Sequence, residues 1–217
     1  HLFGLLFFFQ LLFINSENIN MNQQNTISIP TNDPFGKATN GKLGMWLLII
    51  VDGLSFAGLL IAGAALRASS DSWPIAGELL NIPLTAFNTF LLICTSFTMV
   101  MALSSIQRGD EKGLKTYLLY TLLGGILFLG IQAWEYYHLI HGGFTISSSM
   151  YASTFYVTTC FHGLHVFSGV IYISCILWQA MQGKYSADNW DHVEILGLFW
   201  HFVDLVWILV FTIIYLI

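Results

Sequence analysis

Five apolar runs constrain this chain more than any other feature: Leu43–Leu66, Leu84–Ile106, Leu114–Ile140, Ala152–Met181 and Val193–Ile217. Each is long enough to cross roughly 30 Å of hydrocarbon at about 1.5 Å per helical residue. A backbone in hydrocarbon must satisfy its own hydrogen bonds, which at this length means α-helix. The fold class expected is therefore all-α, a polytopic membrane bundle of five transmembrane helices. Composition agrees, with 56% hydrophobic, 16% aromatic and only 9% charged residues among 217, against about a quarter charged in an average soluble domain. Seven basic and twelve acidic residues give a net charge of −5. They leave no basic field for nucleic acid, which is excluded as a partner.

The breaks between runs carry turn chemistry: Ser69 to Pro74 and on to Pro83, then QRGDEKG at 107–113, HGG at 141–143 before TISSS, and QGKYSADNWD at 182–191. Short connectors predict sequential antiparallel neighbours in one bundle. Lys37, Lys42, Arg108, Lys112, Lys115 and Lys184 fall on one side of that arrangement and Arg67 alone on the other. The asymmetry predicts a cytoplasmic N-terminus and a C-terminus outside. Cys94, Cys160 and Cys175 all fall inside spans without CxxC spacing, so they read as small packing residues rather than a disulfide or zinc framework.

Residues 1–42 read as an apolar segment followed by a polar cytoplasmic arm, and 43–217 as the five-helix domain. HLFGLLFFFQLLFI at 1–14 is short for a span and lacks the flanks of a signal peptide. Met21 reads as a start. Three readings of residues 1–20 stand: an upstream reading of the gene, an interfacial helix, or the end of a longer segment.

Ionisable groups inside the spans need an explanation, because each costs from about 2.5 kcal/mol upward at bilayer depth unless paired or hydrated. On the fourth run Thr154, Thr158, His162, His165 and Gly169 lie within a stripe about 80° wide at 3.6 residues per turn. Glu194, Gly197, His201, Asp204 and Ile208 form a similar stripe on the fifth, and Gly125, Phe128, Gln132, Glu135 and Tyr136 one on the third. The three seams are expected to face one another, so that Glu135, His162, His165, Glu194, His201 and Asp204 knit the third, fourth and fifth helices. Gly124, Gly125, Gly163 and Gly169 permit close approach. Asp52 lies some nine residues into the first run, about 14 Å deep. Two readings stand for it: a neutral acid bonded to Ser55 or to a neighbouring helix, or a group in proton handling.

Five histidines lie in or beside spans, and HxxH occurs at 138–141 and 162–165. Metal or haem ligation needs further ligands at one depth, and these histidines sit at several. Structural hydrogen bonding is the reading favoured for His162, His165 and His201, while His138 and His141 suit the solvated C-terminal end of a helix.

Several segments together carry a resemblance. GMWLLIIVDGLSFAG at 44–58, FNTFLLICTSFTMVMAL at 87–103, LGIQAWEYY at 129–137, STFYVTTCFHGLHVFSG at 153–169 and HVEILGLFWHFVDLVWILVF at 192–211 resemble, in order, successive signature segments of subunit III of the haem–copper oxidases. The chain is similar to the five-helix bacterial form that lacks the first two helices of longer members. The resemblance implies an accessory, non-redox subunit of a proton-pumping terminal oxidase that reduces dioxygen to water. It implies no cofactor, metal or catalytic residue in this chain, with haem and copper held by partner subunits.

The implied partners are subunit I directly, subunit II, a larger respiratory supercomplex and membrane lipids, including bound phospholipid in a cleft. The implied setting is the bacterial inner membrane, and the implied roles are stabilising subunit I and sustaining proton uptake at the mouth of the D pathway. The family's buried, carbodiimide-sensitive glutamate falls at Asp52, and Glu135, His162, His165, Glu194, His201 and Asp204 match its polar motif positions. Asp stands for Glu at 52, and Leu103–Ser104 stands where many relatives carry a His–His pair. A quinol oxidase subunit of the same architecture remains open as an alternative. So does a self-contained, histidine-ligated membrane metalloenzyme.

Overall fold

The computed structural model describes residues 40–70 and 73–217. The apolar segment at 1–14, Met21 and the polar arm through Lys37 lie outside the described residues. Five long helices make up the fold: α1 Asn40–Ala68, α2 Ile82–Gln107, α3 Glu111–His141, α4 Met150–Met181 and α5 Asp191–Val210, the last continued by a π-helical turn, Phe211–Leu216. A single helical turn, Ala76–Leu79, precedes α2. No strand occurs among the described residues. Five helical segments of 26 to 32 residues are long and apolar enough to cross a membrane, so the expected all-α bundle of five spans is the fold observed. The helices overrun the apolar runs at most ends because polar caps extend them.

Those caps set the boundaries. Asn81, Asp110 and Ser149 each accept a backbone N–H from three residues on, at 3.2, 3.0 and 3.0 Å, and so start α2, α3 and α4. Gly109, Gly143 and Gly183 follow the C-terminal ends of α2, α3 and α4 with φ of 78°, 84° and 74°. Only glycine adopts that conformation without cost, which lets each connector reverse within a few residues.

The chain divides into two compact units, residues up to Leu48 and Ile49–Ile217. Of the first, the described part is the opening of α1. In the second, α2 packs on α3, α3 on α4 and α4 on α5, as short connectors require, and α2 also packs on α5 to close a four-helix ring. The continuation of α1 departs from strict sequential neighbours: Phe56 packs against Phe161 and His165 of α4, and Gly53 meets Phe202 of α5. The helical turn Ala76–Leu79 in the connector before α2 packs on the π-helical turn at the C-terminal end.

Trp200 organises the core. Its indole is fully buried, and its ring lies where a Cβ on Gly125 or Gly169 would stand, 2.8 and 2.9 Å from ring carbons. Its Nε1–H donates to Thr95 Oγ1 at 3.1 Å. One side chain on α5 thus engages α2, α3 and α4, and the two glycines are the sockets that admit it. The opposite faces are apolar outward: Leu54, Ile61, Phe90, Phe97, Leu123 and Leu205 are each more than half exposed, as lipid contact favours. Cys94 and Cys160 are exposed as well, so two of the three thiols lie on that outer face rather than in helix packing.

Candidate functional site

Three polar clusters occupy the interior. The first joins α1 to α4, where Asp52 Oδ2 lies 3.5 Å from His165 Nε2 and both side chains are buried. His165 Nδ1 is 2.7 Å from the carbonyl of Phe161. A carbonyl only accepts, so Nδ1 carries the hydrogen and Nε2 is the atom turned to the acid. At this separation the two facing atoms approach without a hydrogen bond between them. Ser55 is not the partner of Asp52, since its hydroxyl donates to the carbonyl of Val51 at 3.0 Å. One turn away His162 is fully buried, stacked on Trp207 with centroids 4.8 Å apart, and edge-on to Phe128. Neither of its nitrogens has a hydrogen-bond partner among the described residues.

The second cluster surrounds Glu135. Gln132 Nε2 and the Tyr215 hydroxyl donate to its Oε2 at 2.8 and 3.1 Å, and Thr85 Oγ1 lies 3.1 Å from its Oε1. Thr85 Oγ1 is also 3.2 Å from the carbonyl of Asn81, so its single proton has two acceptors within reach. The carboxyl therefore ties α2, α3 and the π-helical turn together. That turn is further held by Tyr151, whose hydroxyl donates to the carbonyl of Ile214 at 3.0 Å. In it the adjacent residues Ile214 and Tyr215 are both buried. Beside it Trp207 Nε1–H donates to Thr89 Oγ1 at 2.9 Å.

The third cluster lies between α5 and α2, where Ser96 Oγ and His201 Nδ1 are 2.6 Å apart. Asp204, three residues on, is buried, while His201 is half-buried. Glu194 is half-buried in the first turn of α5, where the positive end of the helix dipole favours a carboxylate. His138 and His141 are exposed in the last turn of α3, with their rings 4.1 Å from those of Trp134 and Tyr137 respectively.

The seven residues singled out in the sequence are thus all buried or half-buried, and two of them join the third, fourth and fifth spans: Glu135 accepts from Tyr215 of the π-helical turn, and His162 lies between Trp207 of α5 and Phe128 of α3. Glu135 and His201 bond across to α2, and His165 faces α1. The reason is α2: its buried Thr85, Asn88, Thr89 and Thr95 and half-buried Ser96 present hydroxyls and an amide to the ring, and a carboxyl or imidazole finds a donor there without needing another ionisable group. Sequence reasoning passed over this stripe, although its recurrence at one and then two helical turns was legible. Ile208 also departs from its seam, being 43% exposed. It stands two heptads beyond Glu194, and a straight helix drifts about 20° per heptad from such a line.

Asp52 offers a chemical test. A hydrophobic carbodiimide reacts with protonated acids in apolar surroundings, so adduct mapping by mass spectrometry is expected to find Asp52 labelled ahead of Asp110 and Asp33. Labelling confined to the two latter acids would mean that Asp52 is ionised, paired or inaccessible.

No group of three or more His, Cys, Asp or Glu side chains suited to one metal ion occurs among the described residues. The clusters instead cross-link helices, and comparison with known proteins places such a bundle. Residues 20–217 match the family described as Cytochrome c oxidase subunit III. Cytochrome c oxidase subunit 3 of Thermostichus vulcanus is 35% identical over 175 residues, covering 80% of this chain and 86% of the relative. A probable cytochrome c oxidase subunit 3 of Mycobacterium leprae is 42% identical over 163 residues, 75% of this chain and 80% of the relative. A probable quinol oxidase subunit 3 of Staphylococcus saprophyticus is 32% identical over 177 residues, 81% and 88% of the two chains. With its whole five-helix bundle inside the matched range, the chain belongs to the cytochrome c oxidase subunit III family and is a multi-pass subunit of a haem–copper oxidase.

Proposed function

We propose that this chain is the accessory, non-redox subunit III of a proton-pumping terminal oxidase that passes electrons from cytochrome c to dioxygen in a bacterial inner membrane. Family membership across residues 20–217 carries the reading, and the bacterial sources of the similar proteins support the setting. In this role the bundle lies directly against subunit I, within reach of subunit II and of a larger respiratory assembly. It stabilises subunit I, holds phospholipid and sustains proton uptake at the mouth of the D pathway. Haem and copper belong to the partner chains. The polar clusters support a scaffolding part, because the contacts of Asp52, Glu135, His165 and His201 join one helix to another. Subunit III of a quinol oxidase is the second reading, favoured by the Staphylococcus saprophyticus relative.

The test is to purify the oxidase from its own membrane through a tag on this chain, then strip the chain away. A large haem-bearing chain is expected to co-purify. The stripped enzyme is expected to keep its haem spectrum and most of its initial oxygen consumption while inactivating after fewer turnovers. Stoichiometric haem, copper or iron in the isolated chain would favour the metalloenzyme reading, and outright loss of the initial rate would place the chain in the catalytic path. Assay with reduced cytochrome c against a quinol separates the two oxidase readings.

The basic asymmetry supports a cytoplasmic N-terminus. Cysteines introduced at Lys112 and Ser148, at the two ends of the bundle, are expected to label from opposite sides of sealed vesicles, Lys112 from the cytoplasmic side. Labelling of both from one side would overturn the topology.

A further inference from the structure

The HxxH motif at 138–141 takes no part in the three polar clusters. His138 and His141 lie on one face of α3, in its last turn, and both are exposed. Residues three apart on a helix are surface neighbours, with Cβ atoms about 5–6 Å from each other. The backbone beneath them is fixed: the N–H groups of Gly142, Gly143 and Phe144 donate to the carbonyls of His138, Ile140 and Leu139 at 2.9, 3.1 and 2.9 Å. Gly143, with a φ of 84°, then turns the chain away from the helix end.

Each imidazole rests on the aromatic ring four residues before it, His138 on Trp134 and His141 on Tyr137, both with centroids 4.1 Å apart. Tyr137 also stands edge-on to His138 at 5.9 Å, so one phenol ring touches both imidazoles. Stacking engages the faces of the rings and leaves the nitrogens at their edges to solvent. Among the described residues neither imidazole takes part in a hydrogen bond or an ion pair. A neutral imidazole offers one lone pair to a cation, and the carbonyl end of a helix favours a cation beside it. Two nitrogen ligands at neighbouring helical positions suit a divalent transition metal rather than calcium or magnesium, which take oxygen ligands.

We propose that His138 and His141 together hold one exchangeable zinc ion at the Ser148 end of the bundle, with water at its remaining positions. Zinc accepts imidazole nitrogen at about 2.0–2.1 Å and closes its structural sites with four protein ligands. With only two, the ion is bound reversibly, as neither a resident cofactor nor a redox centre. Stacking on Trp134 and Tyr137 already restricts the rotamers of both imidazoles, which lowers the ordering cost of binding. The ion ties the last turn of α3 together just before the connector to α4.

The experiment uses the complex purified through a tag on this chain, washed with a chelator and dialysed against radioactive zinc at controlled free concentrations. Wild type is expected to bind one zinc ion more per complex than the double variant His138→Gln/His141→Gln. Each single variant is expected to weaken that ion at least about tenfold, the lower end of what loss of even a group supporting a ligand costs at a metal site. Equal binding in wild type and the double variant overturns the proposal. So does a loss in one single variant that the other does not share, since a lone imidazole would then account for it. A second measurement needs no substitution: zinc is expected to protect His138 and His141 together from carbethoxylation by diethyl pyrocarbonate, read by peptide mass spectrometry, and magnesium to protect neither. Unchanged labelling of either histidine in zinc, or equal protection by magnesium, overturns the shared site.

Discussion

Replacing Trp200 with alanine is expected to destabilise the bundle by about 3–5 kcal/mol, the range for truncating a large buried aromatic side chain. The loss has two sources. The indole leaves a void against Gly125 and Gly169 that rigid helix backbones cannot close, and Thr95 loses the Nε1–H that it accepts. Unfolding of the detergent-solubilised chain, followed by near-ultraviolet circular dichroism against added denaturing detergent, measures it. Gly125→Leu is expected to be comparably harmful for the opposite reason, since its side chain would occupy the indole's place. Combining the two is therefore expected to recover part of the loss. Strict additivity in the double variant would mean that Trp200 is not seated in the glycine sockets.

Glu135→Ala carries the second large effect, a loss of about 3 kcal/mol, because Gln132 and Tyr215 would each be left as a buried donor at about 1–3 kcal/mol apiece. Glu135→Gln keeps one acceptor oxygen and is expected to lose about half as much. Tyr215→Phe removes a single bond and is expected to cost about 1 kcal/mol. In a Glu135/Tyr215 double-mutant cycle the coupling is expected to be near that last value. A coupling indistinguishable from zero would show that the carboxyl does not hold the π-helical turn.

The number, order and approximate limits of the five helices were legible because hydrocarbon thickness is a strict ruler and glycine and proline mark the turns. So was the inward placement of Asp52, Glu135, His162, His165 and Asp204, since an unsolvated charge facing lipid is prohibitive. Pairing was not legible. Periodicity tells which face of a helix is buried but not which neighbour lies opposite, and connector length alone suggested that α1 adjoins α2. On α2 the partners of Glu135 and His201 are Thr85 and Ser96, residues whose weak polarity makes them inconspicuous in a run such as LTAFNTFLLICTSFTM. The π-helical end of α5 was likewise invisible, for its sequence FTIIYL differs little from ordinary helix. What marks it is the inward turn of the two successive residues Ile214 and Tyr215.

The hydroxyls of α2 carry a consequence for biogenesis. Thr85, Thr89, Thr95, Thr98 and Ser105 lie within hydrogen-bond reach of carbonyls three or four residues earlier in the same helix. A segment so equipped satisfies its own polar groups as it leaves the translocon, and can wait in lipid as an isolated span. When α3 and α5 arrive, the same oxygens receive Trp200 and Trp207, or meet Thr121. Asp52 on α1 and Asp204 on α5 have no comparable bond within their own helices, so those segments gain most from prompt association. Insertion can thus follow chain order while helix assembly condenses around the second span, and a hydroxyl-to-alanine change in α2 would first appear as slower assembly rather than failed insertion.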